Sequence, residues 1–415
     1  MKTEQADVIV IGAGPSGAVA SAMLSKMGYS VVIVERQQFP RFSIGESLLP
    51  QCMVFLQQAG MDDAVREQAS HAGFQFKDGA VFHKNGEQTE FDFTKKFSAG
   101  PGTTFQVKRA DFDKALADSA QQQGVDIRYQ HSVLSVDVDG DTPSIEVQAP
   151  DKSTYHLSGK FLLDASGFGR VLPKLLELET PSDFPSRCSY FTHIRDNICD
   201  DSFDRNKILI TVHPEYQDVW YWLIPFADGT SSIGVVAEAE FFEQYQSLTN
   251  EEVLKLLIQQ APNLSSLLSE YENCAAVNNI VGYAANVSSL VGNNYALLGN
   301  AGEFLDPVFS SGVTIATKSA AMIAPLVDKY LQGQSVDFTE DYEKQLRLGI
   351  DCFRTFVTAW YEGSFQDVIF YPKQEPEVRE MISSILAGYA WDVENPYVAK
   401  SKRRFKVLSD LCRGN

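Results

Sequence analysis

The clearest pattern in the chain comes first. The apolar run Val8-Ile9-Val10-Ile11 leads into Gly12-Ala13-Gly14-Pro15-Ser16-Gly17, a helical stretch follows to Met27, and a second apolar run, Val31 to Val34, closes on Glu35-Arg36. Unbroken apolar runs of this length predict strands buried on both faces, as in a parallel sheet. Further along, the pattern changes to alternation. Phe74-Gln75-Phe76-Lys77, Val81-Phe82-His83, Phe91-Asp92-Phe93, Ile208 to Val212, Trp220-Tyr221-Trp222-Leu223-Ile224-Pro225 and Ser232 to Ala237 read as strands of a second, mostly β domain. Successive strand side chains face opposite ways, so Trp220, Trp222 and Ile224 are expected to form one apolar wall, with Tyr221 and Leu223 behind it. A helical pattern returns over Val313 to Leu331 and again from about Asp337, including Glu340 to Thr358. The expected class is α/β: a discontinuous Rossmann-type domain (1–70, 100–175, 290–335), an inserted β-sheet substrate domain (71–99, 176–289) and a helical C-terminal tail (336–415).

Strand, glycine-rich turn, helix and a second strand ending in an acid make up a dinucleotide-binding βαβ unit. In that unit Gly12 permits the tight turn and Gly14 lets the backbone approach a pyrophosphate. Gly17 lets the helix pack on the strand, and Ser16 stands in the helix N-terminus that favours the anion. Glu35 is placed to accept from a ribose hydroxyl, with Arg36 beside it.

Length and charge narrow the function. The 415 residues suffice for two or three domains. A net charge of −19 argues against a nucleic-acid partner, which needs a basic surface. No apolar run approaches the roughly 18 residues of a membrane helix, and the N-terminus does not read as a signal peptide, so a cytoplasmic protein without a membrane partner is expected. The six cysteines, at 52, 188, 199, 274, 352 and 412, form no C-x-x-C pair; reduced structural thiols and no metal site are expected.

Later blocks select among dinucleotides. Pro40-Arg41-Phe42-Ser43-Ile44-Gly45-Glu46-Ser47 is followed by Val107-Lys108-Arg109-Ala110-Asp111-Phe112, by Leu163-Asp164-Ala165-Ser166-Gly167 and by Gly299-Asn300-Ala301-Gly302-Glu303-Phe304-Leu305-Asp306-Pro307. This order resembles the FAD-binding fold (glutathione reductase and p-hydroxybenzoate hydroxylase-like) shared by aromatic hydroxylases, geranylgeranyl reductases and halogenases. The resemblance implies FAD as cofactor, Arg41 and Arg109 at its phosphate and ribose region, Asp164 near the dinucleotide, and Asn300 and Asp306 in a loop close to the flavin. Asn300 departs from the aspartate usual in the family, exchanging a charge for an amide that still hydrogen-bonds a ribitol hydroxyl.

Trp220 to Pro225 matches the W-x-W-x-I-P motif of flavin-dependent halogenases, and the resemblance runs from the first glycines to about residue 335, covering the tail poorly. It implies a wall of Trp220, Trp222, Ile224 and Pro225 between flavin and substrate. Lys77, in Gly73-Phe74-Gln75-Phe76-Lys77-Asp78-Gly79, matches the segment holding the active-site lysine of halogenases. A neutral, desolvated amine is a competent nucleophile, and on a strand Asp78 points away from it. Ser311 and Gly312, opening the helix after Asp306-Pro307, are the implied chloride or bromide site. Reduced FAD (FADH2), O2 and halide would then yield hypohalous acid, carried by Lys77 to an electron-rich ring. Tryptophan halogenases have a glutamate where this chain has Phe309, so the resemblance leans to the phenol and pyrrole branch, with substrates free or tethered to a carrier protein; the run Lys400 to Lys406 reads first as a solvated basic tail and second as a segment able to meet an acidic carrier. No second dinucleotide fingerprint is visible, which implies a separate flavin reductase. The alternatives are an NAD(P)H-dependent aromatic monooxygenase or geranylgeranyl-reductase-like oxidoreductase, and a noncatalytic FAD-binding protein.

Overall fold

The computed structural model describes residues 2–182, 184–282 and 285–414. The apolar runs form a five-stranded parallel sheet in the order Tyr295–Leu297, Phe161–Asp164, Val8–Ile11, Val31–Glu35, Asp126–Tyr129. Val8 to Ile11 and Val31 to Val34 are buried throughout, as an unbroken apolar run requires. The helix Pro15–Lys26 begins right after the glycine turn. Gly12 has φ +98° and a Cβ there would lie 2.6 Å from the Ala165 carbonyl oxygen; a Cβ on Gly17 would lie 2.0 Å from the Gly12 carbonyl oxygen. Both positions are closed to any side chain for that reason.

The alternating segments form a larger, mostly antiparallel sheet in the order Glu272–Asn273, Arg187–Arg195, Thr230–Glu238, Trp220–Pro225, Lys207–Val212, Gly79–Lys84, Glu87–Asp92, with one parallel pairing, between Lys207–Val212 and Gly79–Lys84. Alternation sorts its strands onto two cores. Trp220, Trp222 and Ile224 join the core shared with the parallel sheet. Tyr221 and Leu223 join a second core under the helix Asn250–Gln260, where the Tyr221 hydroxyl donates to the Leu257 carbonyl at 2.9 Å. Gln75–Lys77 leaves this sheet and pairs with Thr104–Gln106, so Lys77 stands opposite Thr104. Asp78 lies on the other side, 3.2 Å from the Lys207 ammonium.

The helix Gly312–Leu331 packs on Pro15–Lys26 and puts its N-terminus beside the glycine turn's sheet. The tail forms the helices Lys344–Tyr361, Ser364–Ile369, Pro376–Leu386 and Ser401–Cys412. They close over the edge of the larger sheet: Ser383 Oγ donates to the Asp92 carbonyl at 3.1 Å, and Trp360 packs on Phe82 with ring centroids 5.8 Å apart. No described helix is long and apolar enough to cross a membrane.

Candidate active site

Between the two sheets lies a cavity of about 590 Å³. One end is the βαβ turn, with Gly12, Gly14, Ser16, Glu35 and Arg36 on its lining; the other reaches Trp220, Trp222 and Ile224, Asn300, Asp306, Ser310 and Gly312. The glycine cradle and the wall therefore face one elongated space, though they are some 200 residues apart in sequence.

The cradle fits a dinucleotide. A Cβ on Gly14 would meet only the Arg41 guanidinium, at 3.6 Å, so the backbone is approachable there. Glu35 is buried and each carboxylate oxygen already accepts a backbone N–H, from Ala13 at 2.9 Å and Gln37 at 2.8 Å. Each retains a lone pair for a ribose hydroxyl. Arg41 and Arg109 both line the cavity and share Asp113: Arg41 donates to it at 2.9 Å, Arg109 at 2.8 and 3.0 Å. Arg109 also donates to the Ile44 carbonyl at 2.6 Å, which holds the loop before Glu46. Asn300 Oδ1 is buried, faces this cavity and has no hydrogen-bond partner, the open acceptor expected where a polyol is to bind.

Asp164 behaves differently. Its two oxygens accept from the amides of Ser166 at 2.8 Å and Leu172 at 2.7 Å, it is absent from the lining, and burial raises its pKa. It braces the loop whose next residues, Ala165 to Gly169, touch the cavity. Pro225 is also off the lining; its carbonyl accepts from Gln106 Nε2 at 3.2 Å. At the helix N-terminus Ser310 (φ +56°) and Gly312 line the cavity, while Ser311 is buried behind them and makes no side-chain capping bond.

Trp220 and Trp222 lie with ring centroids 6.0 Å apart. Trp222 is seated over Gly234, where a Cβ would come within 2.3 Å of the indole, and donates to Ser232 Oγ at 3.1 Å. Trp220 donates to the Tyr361 hydroxyl at 2.9 Å, and that hydroxyl donates to Asp306 Oδ2 at 2.9 Å. Burial pushes the Asp306 carboxyl up to about 6, against the Arg187 guanidinium, the Val308 amide and the Tyr361 hydroxyl, which pull it down. The Arg187 guanidinium lies 3.3 Å from the Tyr361 ring centre. A tail residue thus ties the wall to the loop after Asn300, a link without a local sequence signal. Glu46, on the lining, accepts from His193 Nε2 at 2.7 Å. Burial works against the imidazolium, but the Glu46 carboxylate outweighs it and raises the His193 pKa.

Lys77 is 1 % exposed. Its Nζ donates to Ser47 Oγ at 2.7 Å and to the Leu48 carbonyl at 2.8 Å, and lies 5.5 Å from the Phe93 ring centre. Burial pulls its pKa down to about 7. The nearby Cys52 thiol, pushed up to about 12 by burial, stays neutral and gives the ammonium no counter-charge. Two acceptors match the two N–H groups of a neutral amine and leave its lone pair free; an ammonium would hold a third, buried N–H without a partner among the described residues. Lys77 itself is not on the cavity lining, but Ser47 is, so one hydrogen bond separates amine from cavity.

Residues 5–262 match the family described as FAD binding domain. The chain is 28 % identical over 386 residues to a tryptophan 2-halogenase of Chondromyces crocatus, covering 89 % of this chain and 70 % of that protein. It is 25 % identical over 436 residues to the 1H-pyrrole-2-carbonyl-[peptidyl-carrier protein] chlorinase of Pseudomonas fluorescens, covering 99 % and 93 %. Among solved structures it is similar to a flavoprotein/dehydrogenase from Cytophaga hutchinsonii, with TM-score 0.94, 41 % identity and 99 % of both chains covered. The fold also matches a flavin-dependent brominase, with TM-score 0.85, 24 % identity and 99 % of this chain covered. The family match ends at residue 262, but the chlorinase and both solved structures match 99 % of the chain and so run through the C-terminal helices, where the resemblance was expected to be poor. The chain belongs to the FAD binding domain family, with FAD as its cofactor, and the curated relatives it resembles carry halogenase names.

Proposed function

We propose that this protein is a flavin-dependent halogenase that acts on an electron-rich phenol or pyrrole ring, free or tethered to a carrier protein, through the amine of Lys77. The observation that carries the reading is the buried Lys77 Nζ with two acceptors and a lowered pKa, one hydrogen bond from the cavity. When bound, reduced FAD supplied by a separate flavin reductase provides, with O2, the two-electron oxidation of halide to hypohalous acid. Gly12, Gly14, Ser16, Glu35, Arg36, Arg41 and Arg109 would hold its dinucleotide half, with Gly17 letting the helix pack close behind the turn, and Asn300 and Asp306 would face the other end. Asp164 acts one layer behind, by bracing the 165–169 loop. Ser311 and Gly312 hold the halide at the helix N-terminus, where unpaired amides favour an anion.

Trp220, Trp222 and Ile224, with Pro225 closing the strand, keep the ring away from the flavin, so the oxidant rather than the flavin meets the substrate. The Lys77 lone pair attacks the halogen of hypohalous acid; the N–H proton leaves with the hydroxide as water, giving an N-haloamine. The ring carbon then takes the halogen, its own proton is lost, and the amine is restored. Phe309 stands immediately before Ser310, where tryptophan halogenases carry a glutamate, which supports phenol or pyrrole over free tryptophan.

The test is Lys77→Ala and Lys77→Arg, assayed with a flavin reductase, chloride or bromide and a phenol, pyrrole and carrier-bound panel. Both should lose halogenated product while hypohalous acid, captured by a thioether trap, continues to form. Arginine fails because guanidinium stays protonated. Near-normal product from Lys77→Ala removes the residue from the mechanism.

A further inference from the structure

We propose that the outer face of the C-terminal helix Ser401–Cys412 docks an acidic carrier domain bearing the substrate; this rests on the reading of function above. The helix exposes Lys402, Arg403, Arg404 and Lys406, with Val407 (53 % exposed) and Leu411 (65 %) between and beyond them. Among the described residues none of these four cations forms an ion pair. Asp410 is the sole acid from 400 to 413, in a chain of net charge −19.

The cations also stand at the wrong end of the helix. The first turn carries no acid, Lys400 at the N-cap makes no capping bond, and the last turn has no base. A helix macrodipole is positive at its N-terminus, so cations gathered there oppose it. Local sequence that contradicts a folding preference marks a surface kept for another purpose. A basic rim around apolar Val407 and Leu411 is the complement of an acidic helix with an apolar stripe: charge steers the encounter and the apolar residues hold it.

The inner face of the same helix leads to the site. Phe405 packs on Phe365 with ring centroids 5.8 Å apart, and Phe365 on Phe309 at 5.4 Å. Phe309 immediately precedes Ser310 to Gly312. Two ring contacts therefore connect the helix to the loop that carries the proposed halide segment, and a carrier seated on its outside lies over that roof. The overall negative charge argues against nucleic acid as the occupant.

The test uses the full chain and the triple variant Lys402→Glu, Arg403→Glu and Lys406→Glu, all at exposed positions outside the binding and catalytic set. The probe is a peptidyl carrier domain loaded with pyrrole-2-carbonyl thioester, with a free phenol as control. Binding of fluorescently labelled carrier should weaken at least tenfold in the variant and weaken in wild type as NaCl rises. In turnover, kcat/KM for the carrier substrate should fall likewise through KM, with the free phenol unaffected. Equal carrier binding by variant and wild type overturns docking, as does wild-type turnover of free rings alone or binding of the helix to phosphatidylserine vesicles but not carrier. Absence of halogenation of every substrate sinks the functional reading instead, while the binding measurement still decides the docking surface.

Discussion

Replacing Lys77 by Met keeps length and apolar contacts and removes the amine. Moving the lysine pKa from its ordinary 10.5 to about 7 corresponds to about 5 kcal/mol against the charged form in the fold. The sign follows from proton counting. Between pH 7 and 10.5 the unfolded chain, with an ordinary lysine, binds more protons than the fold, so wild-type stability from this group rises with pH across that window. Below pH 7 the full penalty stands; near pH 10.5 it is almost gone. Lys77→Met lacks the penalty at every pH but leaves Ser47 Oγ and the Leu48 carbonyl without a donor, a pH-independent cost of about 1–3 kcal/mol each. Urea unfolding of both proteins at pH 6, 8 and 10 should therefore show the stability difference moving toward wild type by about 4 kcal/mol from the lowest to the highest pH. Other titrating groups cancel in that difference. The same amine should give wild-type halogenation a rise with pH centred near 7, where the neutral form takes over. A stability difference constant from pH 6 to 10, together with an activity profile flat through pH 7, would refute the neutral buried amine.

Gly14→Val should fold and lose flavin absorbance, because its side chain enters the pyrophosphate approach; Gly17→Ala, 2.0 Å from the Gly12 carbonyl, should instead lower Tm. Tyr361→Phe keeps the ring under Arg187 but removes the hydroxyl between Trp220 and Asp306, at a stability cost of about 1 kcal/mol. It should raise the Asp306 pKa above about 6 and move any titration of flavin affinity to higher pH; an unmoved midpoint counts against the link. Replacing Trp220 and Trp222 by Ala should leave FAD bound and uncouple flavin oxidation from product, read as hydrogen peroxide or trapped hypohalous acid per ring halogenated.

Where a residue's task is local, the chain states it openly. The βαβ glycines, the two-faced tryptophan strand and the separation of Lys77 from Asp78 all follow from backbone periodicity, and the structure reproduces that geometry. The burial of Lys77 follows less directly: its strand is short, Phe76 beside it is exposed, and the seclusion comes from Ser47, Leu48, Cys52 and Thr104, brought in by other elements. Tyr361 was illegible because a tyrosine on a helix read as tail carries no mark of its hydrogen bonds to Trp220 and Asp306. The pairing of Glu46 with His193 spans 147 positions and is likewise set by sheet packing. Asp164 sits where a motif reading puts a cofactor contact, yet its oxygens are taken by amides two and eight residues on, because a strand-end carboxylate satisfies its own loop first.

The central claim is that this chain puts halogen on an aromatic ring through a neutral lysine. The most direct measurement is mass spectrometry of products from the purified protein with FAD, a flavin reductase, O2 and either chloride or bromide, over the phenol, pyrrole and carrier-bound panel. The account predicts a product whose isotope pattern changes from chlorine to bromine with the salt and which vanishes in Lys77→Ala. A hydroxylated or hydrogenated product formed with NADPH alone and indifferent to halide would contradict it.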